Sequence, residues 1–356
     1  MDFSLFYFSG NGSTTRRDKY RLLLEGAKFA DRHGFSAVWI PERHFDAFGG
    51  LYPNPSVAGA AIAAVTEKIE IRSGSVVMPL QDPLRVAEEW AMVDNISNGR
   101  VSLSFAPGWH PNDFVLAPEN YDNKKEIMWR GIEVVKELWR GGAIELKNGA
   151  GKLAKTQTFP NPLQKELRIW ITSLSDASFI KAGEMGANVL ASPLYQSVED
   201  TLRKIKLYRD TLAKNGHDPQ AGKVAMMVHT FIGDDINEIR KKVKEPFKNY
   251  LRTHFDLVAK PAADLFASID PKMITPQDME ELLDFSFETY LDGKVLIGTP
   301  DYCQKLIDDL KQAGVDEVSA LIDFGVEFDW VMESLQFLDG VKQKFSASSS
   351  REMLAV

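Results

Sequence analysis

Residues 20–45, YRLLLEGAKFADRHGFSAVWIPERHF, contain one complete helix-to-strand repeat. Apolar or small residues recur at helical spacing from Leu22 to Ala30, and Gly34 follows as a helix-terminating signal. The next run, Ala37–Pro41, is apolar throughout, as expected for a strand that is covered on both faces. A long amphipathic helix followed by a fully buried strand is typical of a parallel α/β fold.

The same rhythm continues over most of the chain. Short apolar runs are separated by longer segments of helical periodicity. The runs are Phe3–Phe8, Ala37–Pro41, Ile69–Met78, Val101–Ala106, Arg168–Thr172, Asn188–Ala191, Val224–Ile232 and Glu317–Ile322. Because eight such runs are joined by helical crossovers, the sequence predicts an α/β fold, a closed (β/α)8 TIM barrel rather than an open doubly wound sheet.

Three stretches depart from this rhythm. The Gly- and Lys-rich stretch Gly141–Pro162 predicts a surface excursion or a small hairpin. Residues 234–297 form an insertion near the last strands, and either a lid over the barrel mouth or extra packing helices would explain it. Prolines are expected to divide this insertion into helical pieces, at Pro246, Pro261, Pro271 and Pro276. Residues 1–340 are thus predicted to form a single domain, and 341–356 a Ser-rich tail or linker.

The composition is that of an ordinary globular enzyme, with 44% hydrophobic and 26% charged residues in a chain of 356. A net charge of −8 argues against a nucleic-acid partner. No apolar run approaches the length of about 20 residues that a membrane-spanning helix needs, and the N-terminus lacks the features of a secretory signal. The single cysteine, Cys303, is predicted to be a small core residue in a reducing compartment. These features favour a cytoplasmic protein.

Polar, aromatic and glycine residues are concentrated directly after the strand runs. They occupy Pro41–Phe45, Ser73–Pro79, Phe105–Asp113, Thr172–Asp176, His229–Thr230 and Asp323–Gly325. Barrel enzymes place their active sites at the C-terminal ends of the strands, so this asymmetry predicts an enzyme. The sequence has no dinucleotide-binding G-x-G-x-x-G after a strand, no phosphate-binding P-loop and no H-E-x-x-H, and it has no zinc-type spacing of Cys and His. No metal is therefore predicted.

Three histidines lie within or after these runs. His44 follows Glu42, and it is either a general acid or base near neutral pH or a structural histidine held by a carboxylate. His110 follows Trp109, and an aromatic wall beside a titratable group suits a planar ligand, although loop packing would explain the pair as well. His229 lies inside a strand run and is predicted to be a core residue.

The segment Ser173–Ser178 precedes an apolar-periodic helix that ends near Gly186. Ser175 or Asp176 is a suitable N-cap. The free N–H groups and the dipole of such a helix start can bind a phosphate, although the Asp176 carboxylate would compete unless it turned away. Capping without a ligand would also explain these serines.

Taken together, these segments resemble the bacterial luciferase-like flavin monooxygenases, in particular a subgroup found beside or inside polyketide and nonribosomal peptide synthases. The resemblance covers nearly the whole chain, from Phe3 to about Phe337. Its strongest blocks are residues 14–57, 71–118 and 295–318. Matching blocks of that length are far more specific than any single motif.

The resemblance implies a cofactor, a co-substrate and partners. The cofactor is reduced FMN supplied by a separate flavin reductase, and it reacts with O2 to give a C4a-peroxyflavin. Gly74 and Ser75 match the place where the family has an often cis peptide against the flavin ring. Trp109 and His110 match a loop beside that ring. The phosphate turn is matched by Ser173, Ser175, Ser178 and Phe179. Dimers are common in the family, so a homodimer is possible.

Two positions depart from the luciferase pattern. Arg43 stands where the luciferase has the first of two adjacent histidines, and Pro107 stands where it has an arginine near the flavin phosphate. Because an arginine does not act as a base, proton transfer is expected from His44 or His110, the two catalytic candidates. Phosphate affinity must then come from helix N–H groups and serines, with Arg43 as a further source of positive charge.

The resemblance therefore implies an FMNH2- and O2-dependent monooxygenase. Its expected substrate is a polyketide or peptide intermediate tethered to a carrier protein, which would be hydroxylated, N-oxidised or oxidised in a Baeyer–Villiger reaction. The lysines between Lys241 and Lys248, with Arg252, would form either a docking face for the carrier or an ordinary solvated helix face. Two alternatives are a deazaflavin-dependent oxidoreductase of the same superfamily and a non-catalytic flavin-binding protein.

Overall fold

The computed structural model describes residues 1–8, 18–47, 49–193, 197–252 and 275–353. The strands are β1 Asp2–Tyr7, β2 Ala37–Ile40, β3 Glu70–Val77, β4 Val101–Ala106, β5 Ile144–Lys147, β6 Leu153–Thr156, β7 Arg168–Thr172, β8 Asn188–Ala191, β9 Val224–Ile232, β10 Leu296–Gly298 and β11 Glu317–Asp323. Eight of them close into a parallel barrel in the order β1, β2, β3, β4, β7, β8, β9 and β11. These are the eight runs seen in the sequence, so the TIM-barrel prediction is confirmed.

Helices surround the barrel. They are α1 Arg21–Arg32, α2 Pro55–Ala63, α3 Pro83–Ser97, α4 Lys124–Trp139, α5 Asp176–Glu184, α6 Val198–Lys214, α7 Ile236–Arg252, α8 Pro276–Leu291, α9 Pro300–Gln312 and α10 Phe328–Met353. Their ends follow ordinary capping rules. In α3, for example, the Asp82 side chain accepts the Leu84 N–H, and Asn98 ends the helix in the left-handed conformation. Within the described residues, no helix combines the length and apolarity that crossing a membrane requires.

Two elements lie outside the barrel ring. The stretch between α4 and β7, predicted to be a surface excursion or a small hairpin, contains the antiparallel hairpin of β5 and β6. The short strand β10 pairs in parallel with β9 and was not predicted, because three residues are too few to show a periodicity.

The insertion differs from its prediction at Pro246. This proline lies inside α7 and does not end it. The helix continues because Val243, Phe247 and Leu251 are buried along one face, and their burial outweighs the backbone hydrogen bond that a proline removes. Pro276 starts α8, as expected of a proline in the first turn. Pro261, Pro271 and the rest of a possible lid lie outside the described residues.

The predicted tail is also different in the structure. Helix α10 runs on to Met353, so most of 341–356 is helical rather than an irregular linker. Val341 and Phe345 are both buried, and the Phe345 ring lies 5.8 Å from that of Phe3 in β1. The serine-rich composition suggested a linker. It gave too little weight to Val341 and Phe345, which are four residues apart and therefore lie on one helix face.

The barrel interior is polar near the N-terminal ends of the strands. Arg72 of β3 donates to both carboxylate oxygens of Glu317 of β11, at 2.8 and 2.9 Å. The guanidinium lies 4.7 and 4.5 Å from the ring centroids of Trp39 and Trp170, which meet edge to face. Ser4 donates to the same Glu317 carboxylate at 2.6 Å. This buried cluster, in which the Arg72 and Glu317 charges are paired, fills the floor of the barrel, and the opposite, C-terminal ends of the strands form its mouth.

Candidate active site

Three strand ends are joined at the mouth by hydroxyl groups. The Gly74–Ser75 peptide of β3 is cis. The Ser75 hydroxyl lies 3.2 Å from that of Ser104 in β4 and also contacts the Thr172 hydroxyl in β7. Ser104 and Thr172 are in turn 2.9 Å apart. The three hydroxyls thus form a neutral hydrogen-bonding group that links β3, β4 and β7 next to the predicted flavin position.

A buried carboxylate holds His44. The Glu42 side chain is fully buried, and its Oε2 accepts the Val77 N–H at 2.7 Å. Its Oε1 lies 3.0 Å from His44 Nε2 and also contacts the Gln81 side-chain amide. The His44 ring is therefore held by a carboxylate, while it keeps some exposure at the mouth.

The Arg43 side chain has carboxylate partners of its own, which balance its positive charge. Its guanidinium pairs with Asp113 and, at 3.1 Å, with Asp46. It also lies 5.3 Å from the centroid of the exposed Trp109 ring. Burial raises the pKa of the Asp113 carboxyl, although the charges of Arg43 and His110 act in the opposite direction. Within the described part of the chain, the buried Arg43 Nε has no hydrogen-bond partner.

The loop after β4 presents Trp109 and His110 at the mouth. Gly108 permits this turn, since its φ is +76° and a Cβ there would lie 2.9 Å from both Phe114 and Val77. The Trp109 and His110 rings meet edge to face, 5.1 Å apart. His110 Nδ1 is buried and has no hydrogen-bond partner among the residues that the structure describes. The loop therefore offers an exposed aromatic surface beside an unsatisfied ring nitrogen.

The predicted phosphate turn has the expected start of a helix. Ser175 and Ser178 form a capping box at the start of α5. Asp176 is turned away, because its carboxylate pairs with Arg203 at 2.7 and 2.8 Å. Ser175 accepts the Ser178 N–H, so within the first turn the N–H groups of Asp176 and Ala177 are the ones that a helix start leaves for an anion.

Two other residues expected at this turn are turned inward. The Ser173 hydroxyl is buried and donates to the Ile171 carbonyl at 3.2 Å. Phe179 is fully buried, and its N–H donates to the Ser175 carbonyl at 3.2 Å. The geometry thus brings Ser175 and Ser178, but not the side chains of Ser173 and Phe179, to an accessible position.

The loop that carries Arg43 and His44 is fixed to the barrel wall. The Arg43 N–H donates to the Tyr52 carbonyl at 3.0 Å, and the Tyr52 hydroxyl donates to Asp323 at the end of β11, at 2.7 Å. Burial, followed by the Asp323 charge, raises the pKa of Tyr52 well above its usual range, so this hydroxyl stays protonated and remains a donor. The position of His44 is thereby set by barrel contacts.

Sequence reasoning assigned no role to several residues of the mouth, and it placed two core residues correctly. Thr172, Ser104, Gln81 and Asp113 acquire their roles only through contacts between different strands. His229 is buried among aromatic rings, which confirms the core prediction. Cys303 is fully buried, as predicted, and burial raises its thiol pKa to about 12. His229 packs against Phe324, which follows β11, whereas Cys303 lies in α9.

The mouth fits the FMN implied by the resemblance. A flavin has an anionic phosphate, a planar ring and polar ring atoms. The start of α5 suits the phosphate, the Trp109 face suits the ring, and the unsatisfied His110 Nδ1 can bond to a ligand atom. The three features lie on the same face of the barrel, because they all follow the C-terminal ends of barrel strands.

The comparisons with known proteins agree on one family. A family model described as luciferase-like monooxygenase matches residues 1–317. The oxygenase component of a flavin-dependent trigonelline monooxygenase from Acinetobacter baylyi is 28% identical, and the match covers 98% of this chain and 96% of that protein. An alkanal monooxygenase alpha chain from Photorhabdus luminescens is 23% identical, over 91% of this chain and 92% of that one.

Solved structures share the fold. Monooxygenase RslO1 from Streptomyces bottropensis superimposes with a TM-score of 0.79 at 24% identity, covering 97% of this chain and 100% of its own. The oxygenating constituent of 3,6-diketocamphane monooxygenase from Pseudomonas putida, a type II Baeyer–Villiger enzyme in complex with FMN, gives 0.72 at 20% identity, covering 95% and 96%. These likenesses support the barrel architecture.

Proposed function

The chain belongs to the luciferase-like monooxygenase family and is a flavin-dependent monooxygenase that uses reduced FMN and O2, and from that premise we propose that it oxygenates a carrier-bound polyketide or peptide intermediate at the barrel mouth. As the oxygenase component of a two-component system, it depends on a separate flavin reductase. The net reaction converts substrate, O2 and FMNH2 into oxygenated substrate, water and FMN. Bound FMNH2 supplies both electrons for this oxygen activation.

The convergence of four features at one end of the barrel carries the proposal. They are the Ser75 hydroxyl group, His44, the Trp109–His110 loop and the first turn of α5. In this arrangement Ser175 and Ser178 hold the phosphate end of the cofactor, and Gly74 with Ser75 borders its ring. The two histidines are the groups proposed to move protons, since each has a ring nitrogen within a partly buried polar site.

The lysines of α7 do not support a carrier-docking role for that helix. Each basic side chain is paired with an acid: Lys241 with Glu238, Lys242 with Glu333, Lys244 with Asp284, Lys248 with Glu280 and Asp284, and Arg252 with Glu280. This pairing leaves little net positive charge for an acidic carrier protein. The carrier-bound substrate is therefore supported by the subgroup resemblance alone, and the homodimer stays a prediction from the same source.

The decisive experiment supplies the complete system. The protein is incubated with FMN, a flavin reductase, reduced nicotinamide and ¹⁸O2, together with acyl or peptidyl thioesters on a carrier protein. Control samples contain the same acids free in solution. We expect one labelled oxygen atom in the carrier-bound product and little in the free acid. The position of the label distinguishes hydroxylation and N-oxidation from Baeyer–Villiger insertion.

Different failures have different meanings. Equal labelling of free acids would reject the tethered substrate but keep the monooxygenase. If none of the tested substrates becomes labelled and oxygen uptake does not depend on FMNH2, the mouth does not perform this chemistry. Turnover with a reduced deazaflavin in the absence of O2 would then favour the oxidoreductase alternative.

A further inference from the structure

The Glu42 carboxylate makes contacts that only an acceptor can satisfy. Val77 N–H and the Gln81 amide both donate to it, and His44 Nε2 lies 3.0 Å from Oε1. A carboxylate accepts hydrogen bonds at both oxygens, whereas a side-chain amide would present its NH2 to one of these donors. The surroundings of Glu42 are therefore complementary to a carboxylate, and His44 Nε2 is placed to donate to it.

We propose that Glu42 is the positioning residue for His44, holding the ring with its proton on Nε2 so that Nδ1 accepts the proton released during oxygen transfer. The inference rests on the proposed function. In the neutral ring, one nitrogen donates and the other accepts, so a fixed donor at Nε2 determines the role of Nδ1. Because Glu42 hydrogen-bonds to the backbone of β3, the orientation of the ring is coupled to the barrel itself.

The two mouth histidines are thus unequal. His44 has a buried carboxylate on one ring nitrogen, whereas His110 Nδ1 has no partner within the described residues. The charged groups that also face His44 reach its backbone. The Arg43 guanidinium donates to the His44 carbonyl at 3.4 Å. The backbone N–H of His44 donates to the Asp113 carboxylate. Neither of these contacts orients the ring, so Glu42 is the group that makes His44 the better oriented base.

The proton transfer balances without a further reagent. His44 Nδ1 takes one proton at the mouth, and the resulting imidazolium is stabilised by Glu42 through Nε2. The ring then returns that proton to the oxygen atom that leaves as water. Glu42 does not need to change its own protonation state at any point, which is the role of a carboxylate behind a catalytic histidine.

The first test needs neither flavin nor substrate. In ¹⁵N-histidine NMR of the wild-type protein, we expect His44 to be protonated at Nε2 and unprotonated at Nδ1. In Glu42→Gln, the amide oxygen stays on the Val77 N–H, so the NH2 faces His44 Nε2 and the tautomer reverses. Asp339→Asn is the matched control, because it replaces the carboxylate of another histidine–carboxylate pair. In that pair His33 Nδ1 lies 2.9 Å from Asp339. This control should alter only the His33 signals.

The second test uses turnover. Glu42→Gln should lower kcat about 10²-fold or more and change its pH profile, while KM and FMN affinity stay close to wild type. Asp339→Asn should leave turnover unchanged. A wild-type His44 with its proton on Nδ1 would overturn the proposal even if Glu42→Gln did not fold. So would an active Glu42→Gln enzyme with an unchanged pH profile. If the wild type shows no FMNH2-dependent oxygenation, the proposed function fails instead, and the tautomer result still stands.

Discussion

Replacing Arg72 by methionine should destabilise the barrel strongly, because it leaves a buried charge without its partner. Arg72 bonds Glu317 at 2.8 and 2.9 Å, and Glu317 has no exposed surface. Losing one member of a buried ion pair costs about 3–5 kcal/mol. The lost cation–π contacts with Trp39 and Trp170 add about 1 kcal/mol. The expected loss of about 4–6 kcal/mol is a large fraction of a typical unfolding free energy of about 5–15 kcal/mol.

A double-mutant cycle measures this effect. Urea unfolding is followed by tryptophan fluorescence and circular dichroism for the wild type, Arg72→Met, Glu317→Gln and the double variant. Glu70, which also bonds Arg72, still has Arg168 at 3.3 Å and is not left unpaired. We expect the double variant to recover at least about 2 kcal/mol relative to the sum of the single losses, because no unpaired charge remains. A single-variant loss below about 1 kcal/mol, as for exposed ion pairs, would refute the reasoning. Strict additivity of the two losses would refute it as well.

Two further predictions concern the phosphate turn and the C-terminal helix. Ser175→Ala should weaken FMN binding about tenfold, as for the loss of one hydrogen bond to a charged group. Ser197→Ala, which removes the equivalent N-cap of α6, should leave binding unchanged in the same fluorescence titration; equal weakening by both would place the phosphate elsewhere. Burial would raise the pKa of Asp339, but His33 and Lys342 lower it, so its folded-state pKa lies below the unfolded value of about 3.9. Its stabilising contribution is therefore present above that pH and lost as the pH falls through the folded pKa. Urea unfolding from pH 7 down to pH 3 should show this acid-side loss for the wild type and a weaker one for Asp339→Asn; parallel curves would contradict it.

The barrel was predictable because each of its strands carries its own signal. Runs such as Ala37–Pro41 are apolar on both faces, and the helices between them have clear ends such as Gly34. The errors arose where burial overrides local preference. Pro246 sits inside a helix held by buried neighbours, and Phe345 anchors a serine-rich segment that composition alone marks as a linker.

The site was predictable only in part, because its contacts join distant positions. His44 and His110 stand out by chemistry and by their place after strands. The carboxylate that pairs with Arg43 is Asp113, which lies 70 positions away, and no periodicity reports such a contact. Glu42 is only two residues from His44, yet in irregular backbone that spacing does not imply a contact. A barrel alignment of β2 with β3 is needed before Val77 and Glu42 can be placed together.

The charges at the mouth indicate where a flavin phosphate can bind. The positive charge of Arg43 was expected to assist phosphate binding, but in the structure it is shared by Asp46 and Asp113. With Glu42 also buried nearby, the ends of β2 and β4 carry more carboxylates than cations among these four groups. An anion is therefore disfavoured on that side of the mouth. At α5 the carboxylate of the first turn, Asp176, pairs with Arg203 and is turned away from the helix start, and Asp200, which shares Arg203, also pairs with Lys204. These charges support the proposal that the phosphate binds at the end of β7 and the start of α5, and that proton transfer takes place at the ends of β2 and β3, where Glu42 holds His44.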